Sequence, residues 1–448
     1  MHRSISSFGL AAFGSFMPGW LPPSSQVAPA AAPMVAPPSA SHRLSAQVGQ
    51  LDPVVERLLV VDIDDVGIDV LNAAHTPTLD RLTAEGRTFL QFHATGLCSP
   101  TRTQMHLGCH GSYPGVHCLT WISRLDPYGV PSTVVRPLGS VVSAAGLTTA
   151  KVGKWHLGPS NDLNHPASFG WQDYRGLLFN PDPGPFAYYR YRKFINGSPL
   201  DVDGRYLTTD QTNDGVAALR ARNDLVSVSY HAIHRPYHVP PAALTTIQNP
   251  TTDVEKAMAS LEALDHELGR LLGAAAEEGY TTLVFSDNGS VGPLRGRKNS
   301  THQRGIRTRL WAVGPGVVPG RDDSLVSAVD LYATVLELLG VARLSGDGPD
   351  SISFAPQMQG GAGSRTAIYS ELGPRNGFDA RLDPDHWDRI ARGDRYKFVV
   401  SRPGVGTAFF DLQQDPEEQN NLINGPLDQA QREELARLSQ VVRSKVMR

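Results

Sequence analysis

Along the chain, short and nearly continuous apolar runs alternate with stretches whose apolar residues recur at helical spacing. Residues 57–63 (Arg-Leu-Leu-Val-Val-Asp-Ile) form one such run, the pattern of a strand buried on both faces. Similar runs at 88–93, 147–152, 225–230, 281–286 and 309–313 predict further strands. Thr76-Pro77 reads as an N-cap with proline at the first helical position, opening a helix that closes at Gly86. The clearest helix is 253–278. Val254, Ala257, Met258, Leu261, Leu264, Leu268, Leu271, Leu272 and Ala275 share one face, and Gly279 ends it. A further helix is expected over 328–339.

Strands interleaved with helices predict an α/β fold around a large, mixed but mainly parallel sheet sandwiched by helices. After about residue 345 the texture changes. Gly-rich loops precede short strand-like runs at 366–370, 396–401 and 408–412, and a charged amphipathic helix closes the chain over about 427–446. The expected organisation is therefore a leader over 1–55, a catalytic domain over 56–345 and a smaller C-terminal α+β subdomain over 346–448.

Composition narrows the function classes. Of the 448 residues 40% are apolar, enough for a sizeable core. The net charge of −3 argues against a nucleic-acid binder relying on bulk charge. No run reaches the roughly 18 apolar residues of a membrane span. From Ser4 to His42 there is no Lys, Arg, Asp or Glu, and the stretch is rich in Ala and Pro. It reads as an export segment, placing the protein in the periplasm or outside the cell, or as a tail compatible with the cytoplasm.

Candidate chemistry gathers after the predicted strands. Asp64-Asp65 follows the first and Asp287-Asn288 follows the strand at 281–286, and ligands of open parallel sheets bind beyond the carboxyl ends of the strands. Three carboxylates and an amide oxygen are hard donors suited to Ca²⁺ or Mg²⁺. Each pair alone reads equally as a solvated loop, and Asp62 and Asp69 are neighbouring acids of the same type.

In Cys98-Ser99-Pro100-Thr101-Arg102, Ser99 can cap and Pro100 can open a helix. Cys98 would then lie at a positive helix N-terminus, where a thiol's pKa falls and anions are favoured. Arg102 is one turn on. The bland alternative is a buried cysteine beside a surface arginine. Lys154 and His156 share one face of an extended segment; His234 follows the strand at 225–230, and Lys298 lies beyond Asp287-Asn288.

Arg295, Arg297, Arg304, Arg307 and Arg309 flank Lys298, either as an anion-recognising set or as a solvated basic loop. Cys109 and Cys118 could pair or remain thiols. With His106, His110 and His117 they make a soft-metal site conceivable. Hydrolase-elbow, P-loop, dinucleotide and zincin motifs do not occur.

In this order, the motifs resemble the type I sulfatases of the alkaline phosphatase superfamily. The resemblance runs from about Leu58 to Leu422. It is carried by Leu-Leu-Val-Val-Asp-Ile-Asp-Asp-Val-Gly67, the Cys-x-Pro-x-Arg signature at Cys98–Arg102, Gly153-Lys-Trp-His-Leu-Gly158, Phe285-Ser-Asp-Asn-Gly289 and the segment Asp411 to Leu422. It implies an alkaline-phosphatase-like fold and hydrolysis of sulfate esters. It also implies oxidation of Cys98 to formylglycine (3-oxoalanine) by a formylglycine-generating enzyme, and bound Ca²⁺, with Mg²⁺ or Mn²⁺ as alternatives.

By the same resemblance Asp64, Asp65, Asp287 and Asn288 hold the cation. Arg102 stabilises the nucleophile, Lys154 and Lys298 clamp the sulfate, His156 takes the diol's proton, and His234 with Lys298 protonates the leaving oxygen. Three departures stand out: Leu107-Gly108 replaces Thr-Gly, Ile233-His234-Arg-Pro236 replaces Pro-His-x-Pro, and Gln303-Arg-Gly-Ile-Arg307 replaces Glu-Gly-Gly-Ile-Arg. Two other readings remain: a phosphonate or phosphate ester hydrolase with the same apparatus, and an inactive binder of sulfated glycans. The alcohol half of the substrate and the oligomeric state are not readable from the sequence.

Overall fold

A computed structural model of the chain describes residues 52–446, apart from 185, 295, 374–386 and 402–406. The expected leader therefore lies almost wholly outside the described residues, as does Arg295. The main sheet has eleven strands. They are β1 (Leu58–Ile63), β2 (Arg87–His93), β3 (Thr149–Lys154), β4 (Asp173–Leu177), β5 (Arg190–Ile195), β6 (Ser198–Asp203), β7 (Leu225–Ser229), β8 (Thr281–Ser286), β9 (Arg307–Val313), β10 (Gly320–Asp322) and β11 (Val326–Ser327). Their order is β10-β2-β9-β8-β1-β7-β3-β4-β5-β6, with β11 also on β2.

The centre is parallel. β1 pairs with β7 and β8, and β3 with β7 and β4, all in parallel register. Every residue of β1, β3, β7 and β8 is buried, which is why β1 and β8 read as nearly continuous apolar runs, while β3 and β7 also bury Lys151, Lys154, Ser227 and Ser229. β9 runs antiparallel between β8 and β2, and β5 and β6 extend the far edge as antiparallel strands. The expected mixed, mainly parallel sheet is what the chain forms.

The helix Asp253–Glu277 carries a capping box, with Thr252 and Glu255 satisfying each other's backbone donors. Its predicted face is buried from Ala257 to Ala275 except for the half-buried Met258, and Val254 in the first turn is exposed. The predicted helix over 328–339 is a 3₁₀ turn, Ala328–Asp330, followed by the α-helix Leu331–Leu338. Among the described residues no helix is long and apolar enough to cross a membrane.

Beyond the main sheet, β12 (Ile368–Leu372), β13 (Asp388–Arg392), β14 (Tyr396–Val400) and β15 (Thr407–Asp411) form an antiparallel sheet. The helix Gln429–Val446 packs Leu438 and Val442 against Ala391, Phe398 and Phe409 of this sheet. The sequence reading missed β13, whose Asp-Arg-Ile-Ala-Arg has one isolated apolar pair between charges. Backbone pairing with β12 on one edge and β14 on the other, not apolar alternation, makes it a strand, and both of its arginines are buried there.

Candidate active site

Three parallel strands end at one edge of the sheet, β8 next to β1, and β3 one strand further on across β7. β1 delivers Asp64 and Asp65, β8 delivers Asp287 and Asn288, and β3 delivers Lys154 and then His156. Gly153 is needed in β3: its φ is +89°, and a Cβ there would lie 2.0 Å from the Ser229 carbonyl of β7. The helix Cys98–Leu107 points its first turn at this edge. Its N-cap is Leu97 rather than Ser99. Ser99 Oγ instead donates to the His156 carbonyl at 2.9 Å and accepts from the Ile122 amide at 3.0 Å, tying the helix to the loop after β3.

Carboxylate oxygens of Asp64, Asp65 and Asp287 lie within 4.8 Å of one another, and all three residues are buried. Asn288 Nδ2 donates to Asp65 at 2.7 Å, leaving Asn288 Oδ1 turned away from that bond. Asn288 Oδ1 and Asp287 Oδ2 are buried without a hydrogen-bond partner. Orphaned hard oxygens beside clustered carboxylates fit a divalent cation of the Ca²⁺ type. Asp62 and Asp69, the other acids considered, stand apart: Asp62 is bonded to Arg102, and Asp69 lies in the short helix Ile68–Leu71.

Cys98 Sγ is 3.5 Å from Asp64 Oδ1 and 3.5 Å from Lys298 Nζ. Lys298 pairs with Asp65, and Lys154 with Asp64. Arg102 donates to the Lys154 carbonyl at 3.0 Å and to Asp62 at 2.5 Å, and lies 3.6 Å from Asp287. Burial acts to raise the Asp64 carboxyl, but Lys154, His234, Lys298 and Arg102 together hold it well below the usual range. Asp287 is pushed well up, by burial and then by Asp64.

The helix-terminus expectation for the thiol is overturned. Burial, and then the Asp64 carboxylate, push Cys98 up to about 12. Desolvation and Asp64 there act against the lowering pull of Lys154 and Lys298.

The structure separates the two histidines after β7. His231 is buried with Nδ1 3.0 Å from Gln211 Nε2 and Nε2 3.2 Å from the Phe179 carbonyl, so both ring nitrogens are engaged. A ring nitrogen of His234, Sγ of Cys98 and a carboxylate oxygen of Asp64 lie within 4.8 Å of one another. His156 Nδ1 is buried and unpartnered, with φ of +61° turning the chain after β3. Nine of the ten predicted residues thus contact at least one charged partner in the cluster, and the tenth, His156, follows the end of β3.

The basic loop does not converge with Lys298. Arg304 pairs with Glu417 at 2.6 Å, and Arg307 lies on a separate cavity. Cys109 and Cys118 are buried in the main core, and His106 is buried beside Trp155, Phe169 and Trp171. Among the described residues no grouping of these cysteines and histidines resembles a metal cage. Of the buried charges beneath the site, sequence reasoning named Asp62 only as a neighbouring acid and missed Lys151. Their signal is two ionisable residues inside otherwise apolar strands. A larger cavity of about 660 Å³ adjoins the loop after β4, lined by Leu178, Phe179, Asp182, Arg124, Arg190 and Arg192 among others.

Comparison with known proteins decides the family: the sulfatase family model matches residues 60–341, more than half of the chain. The chain belongs to the sulfatase family. This sulfatase is 26% identical to human (Homo sapiens) arylsulfatase A, over 82% of its own length and 83% of that protein's. It is 27% identical to the N-acetylgalactosamine-6-sulfatase of Sus scrofa, over 71% of this chain and 69% of the relative.

Its fold matches the crystal structure of Ps i-CgsB with a TM-score of 0.74 at 20% identity, covering 87% of this chain and 92% of that one. The structure of BT4656 in complex with its substrate D-glucosamine-2-N,6-O-disulfate matches at 0.66 and 16% identity, over 87% and 97%. The alkaline-phosphatase-like fold and the smaller antiparallel sheet of the sequence reading are those of sulfatases. The protein is a sulfatase enzyme of the arylsulfatase-like type.

Proposed function

We propose that this sulfatase releases inorganic sulfate from an organic ester at the Cys98 cluster, with Cys98 matured to formylglycine by a formylglycine-generating enzyme. The observation that carries the reading is the position of Cys98 between Asp64 and Lys298, each 3.5 Å from Sγ, above a cluster of hard oxygen donors. The hydrated aldehyde supplies one hydroxyl to attack sulfur and a second whose deprotonation expels sulfate. An ordinary alcohol would remain as a stable sulfate ester.

Asp64, Asp65, Asp287 and Asn288 are assigned to a divalent cation, taken as Ca²⁺ from the donor set. When bound it would polarise the ester oxygens and lower the pKa of the nucleophile. Lys154 and Lys298 hold their charge in a water-poor site, where they bind the non-bridging sulfate oxygens. Arg102 orients the position-98 side chain and offsets the negative charge of its hydroxylate. His156 Nδ1, without a protein partner, takes the proton released on sulfate expulsion. His234, with Lys298, gives a proton to the leaving alcohol oxygen. Relatives named for sulfated sugars support a saccharide among the alcohols worth testing.

The test has two parts. Mass spectrometry of the peptide spanning 88–102, from cells that supply the maturation enzyme, should show the aldehyde at position 98. Kinetics on matched aryl sulfate, phosphate diester and phosphonate esters, and on a sulfated hexosamine, should give the highest kcat/KM with a sulfate. A preference for phosphorus would overturn the assignment of the ester. An unmodified thiol with no turnover would instead favour a binder of sulfated glycans.

A further inference from the structure

A second basic cavity lies where the start of β9 meets the end of β13, apart from the Cys98 cluster. It encloses about 440 Å³ and is lined by Gln91, Gln303, Arg307, Arg392, Asp394 and Arg395, with Leu412–Pro416 closing one side. Arg392 is the floor. It is only 5% exposed, and its Nη2 donates to Gln91 Oε1 at 3.1 Å. Its Nε and Nη1 are buried and have no hydrogen-bond partner.

Counter-charge is scarce here. Arg395 is committed to Asp411, with bonds of 3.0 and 2.5 Å. Among the described residues Asp394 is the one carboxylate on the lining, and it is exposed. Neither Arg307 nor Arg392 forms an ion pair among the described residues. Gln303, 6% exposed and with Oε1 3.2 Å from His93 Nε2, adds no charge to the lining. Burial, and then the Arg307 charge, push Arg392 down to about 10 against the weaker pull of Asp394.

A buried guanidinium with two unused donor nitrogens is costly unless something accepts from it. The planar donor fork of arginine matches the paired oxygens of an oxyanion, and two such forks on one cavity select for charge as well as shape. We propose that this cavity is a binding site for a tetrahedral oxyanion, held by Arg392 and Arg307 and separate from the site of ester hydrolysis. The oxyanion is either free inorganic sulfate or phosphate, or a sulfate group carried on a larger ligand. The inference does not depend on the reaction assigned to Cys98.

The test uses the full chain with Cys98→Ala, so that no ester is consumed. Calorimetric titration with sodium sulfate, and separately with sodium phosphate, should show a site whose Kd weakens at least tenfold on adding Arg392→Gln and is untouched by Lys154→Ala. Should Arg392→Gln fail to fold, Gln303→Glu serves instead. It sets a carboxylate among the arginines, and should raise Tm while abolishing the increase in Tm that sulfate produces.

Binding of both anions unchanged in a folded Arg392→Gln or Gln303→Glu protein would overturn the proposal. Glucose 6-sulfate separates the two sources. Arg392-dependent binding tighter than that of inorganic sulfate identifies a carried group, and equal or weaker binding identifies the free anion.

Discussion

Arg102 donates through Nη2 to Asp62 Oδ2 at 2.5 Å, and both side chains are sealed from solvent beneath the carboxylate cluster. Asp62 also accepts from Ser229, and Lys151 Nζ stands 3.8 Å from its other oxygen. The guanidinium assigned to the nucleophile is therefore held from below by β1 and from the side by β3, through the Lys154 carbonyl at 3.0 Å. Such a buried pair fixes position more than it adds stability.

Asp62→Asn preserves the shape of this support and removes its charge. Losing one partner of a buried pair should destabilise the fold by about 3 kcal/mol. If Asp62 positions Arg102, kcat on an aryl sulfate falls by roughly tenfold or more while KM stays within about threefold, since Asp62 does not reach the sulfate. Steady-state kinetics with thermal unfolding checks both. An unchanged kcat would mean that Asp287 and the Lys154 carbonyl suffice.

Lys151 gives a pH signature. Burial dominates its neighbours Asp62 and Arg102 and pushes its ammonium from 10.5 down to about 7. Between those values the unfolded chain binds a proton that the folded chain does not, so this group makes stability rise with pH across that window. Lys151→Met removes the slope. The Tm difference between Lys151→Met and wild type should thus move in favour of wild type as pH rises from 7 to 10. A constant difference would show that Lys151 keeps its proton throughout.

A cation bound only by the folded state stabilises it by mass action. With free Ca²⁺ at about 100 times Kd the gain is about 2.7 kcal/mol. Calcium should raise Tm in the wild type, chelation should reverse the rise, and Asp287→Ala should abolish it. The same rise in Asp287→Ala would remove Asp287 from the ligand set.

Position 98 discriminates the chemistry of the nucleophile. Cys98→Ser supplies an alcohol that can attack once and has no second hydroxyl to expel sulfate. With an aryl sulfate it should release at most one equivalent of phenol and gain the mass of one SO₃ group at residue 98. Multiple turnovers by Cys98→Ser would show that formylglycine is not required.

Much of this was determined by the sequence itself. The central strands are legible because a strand buried on both faces must be apolar throughout, as in Leu58–Ile63 and Thr281–Ser286. The long helix was legible from its face and its terminal Gly279, and the reactive residues from their place just after strands. What tertiary structure decided is every relation between distant segments. Only strand order sets Asp65 beside Asp287 and Lys298 beside Cys98, and only burial turns Cys98 into a high-pKa thiol against the pull of its helix terminus.

The choice of His234 over His231 near Cys98 likewise follows from packing, since Gln211 and the Phe179 carbonyl engage both nitrogens of His231. β13, too, is a strand because β12 and β14 pair with it on both edges. Local sequence encodes periodicity and termination, which act within a few residues. Desolvation and electrostatics act through space, and they take their values only once the sheet has assembled.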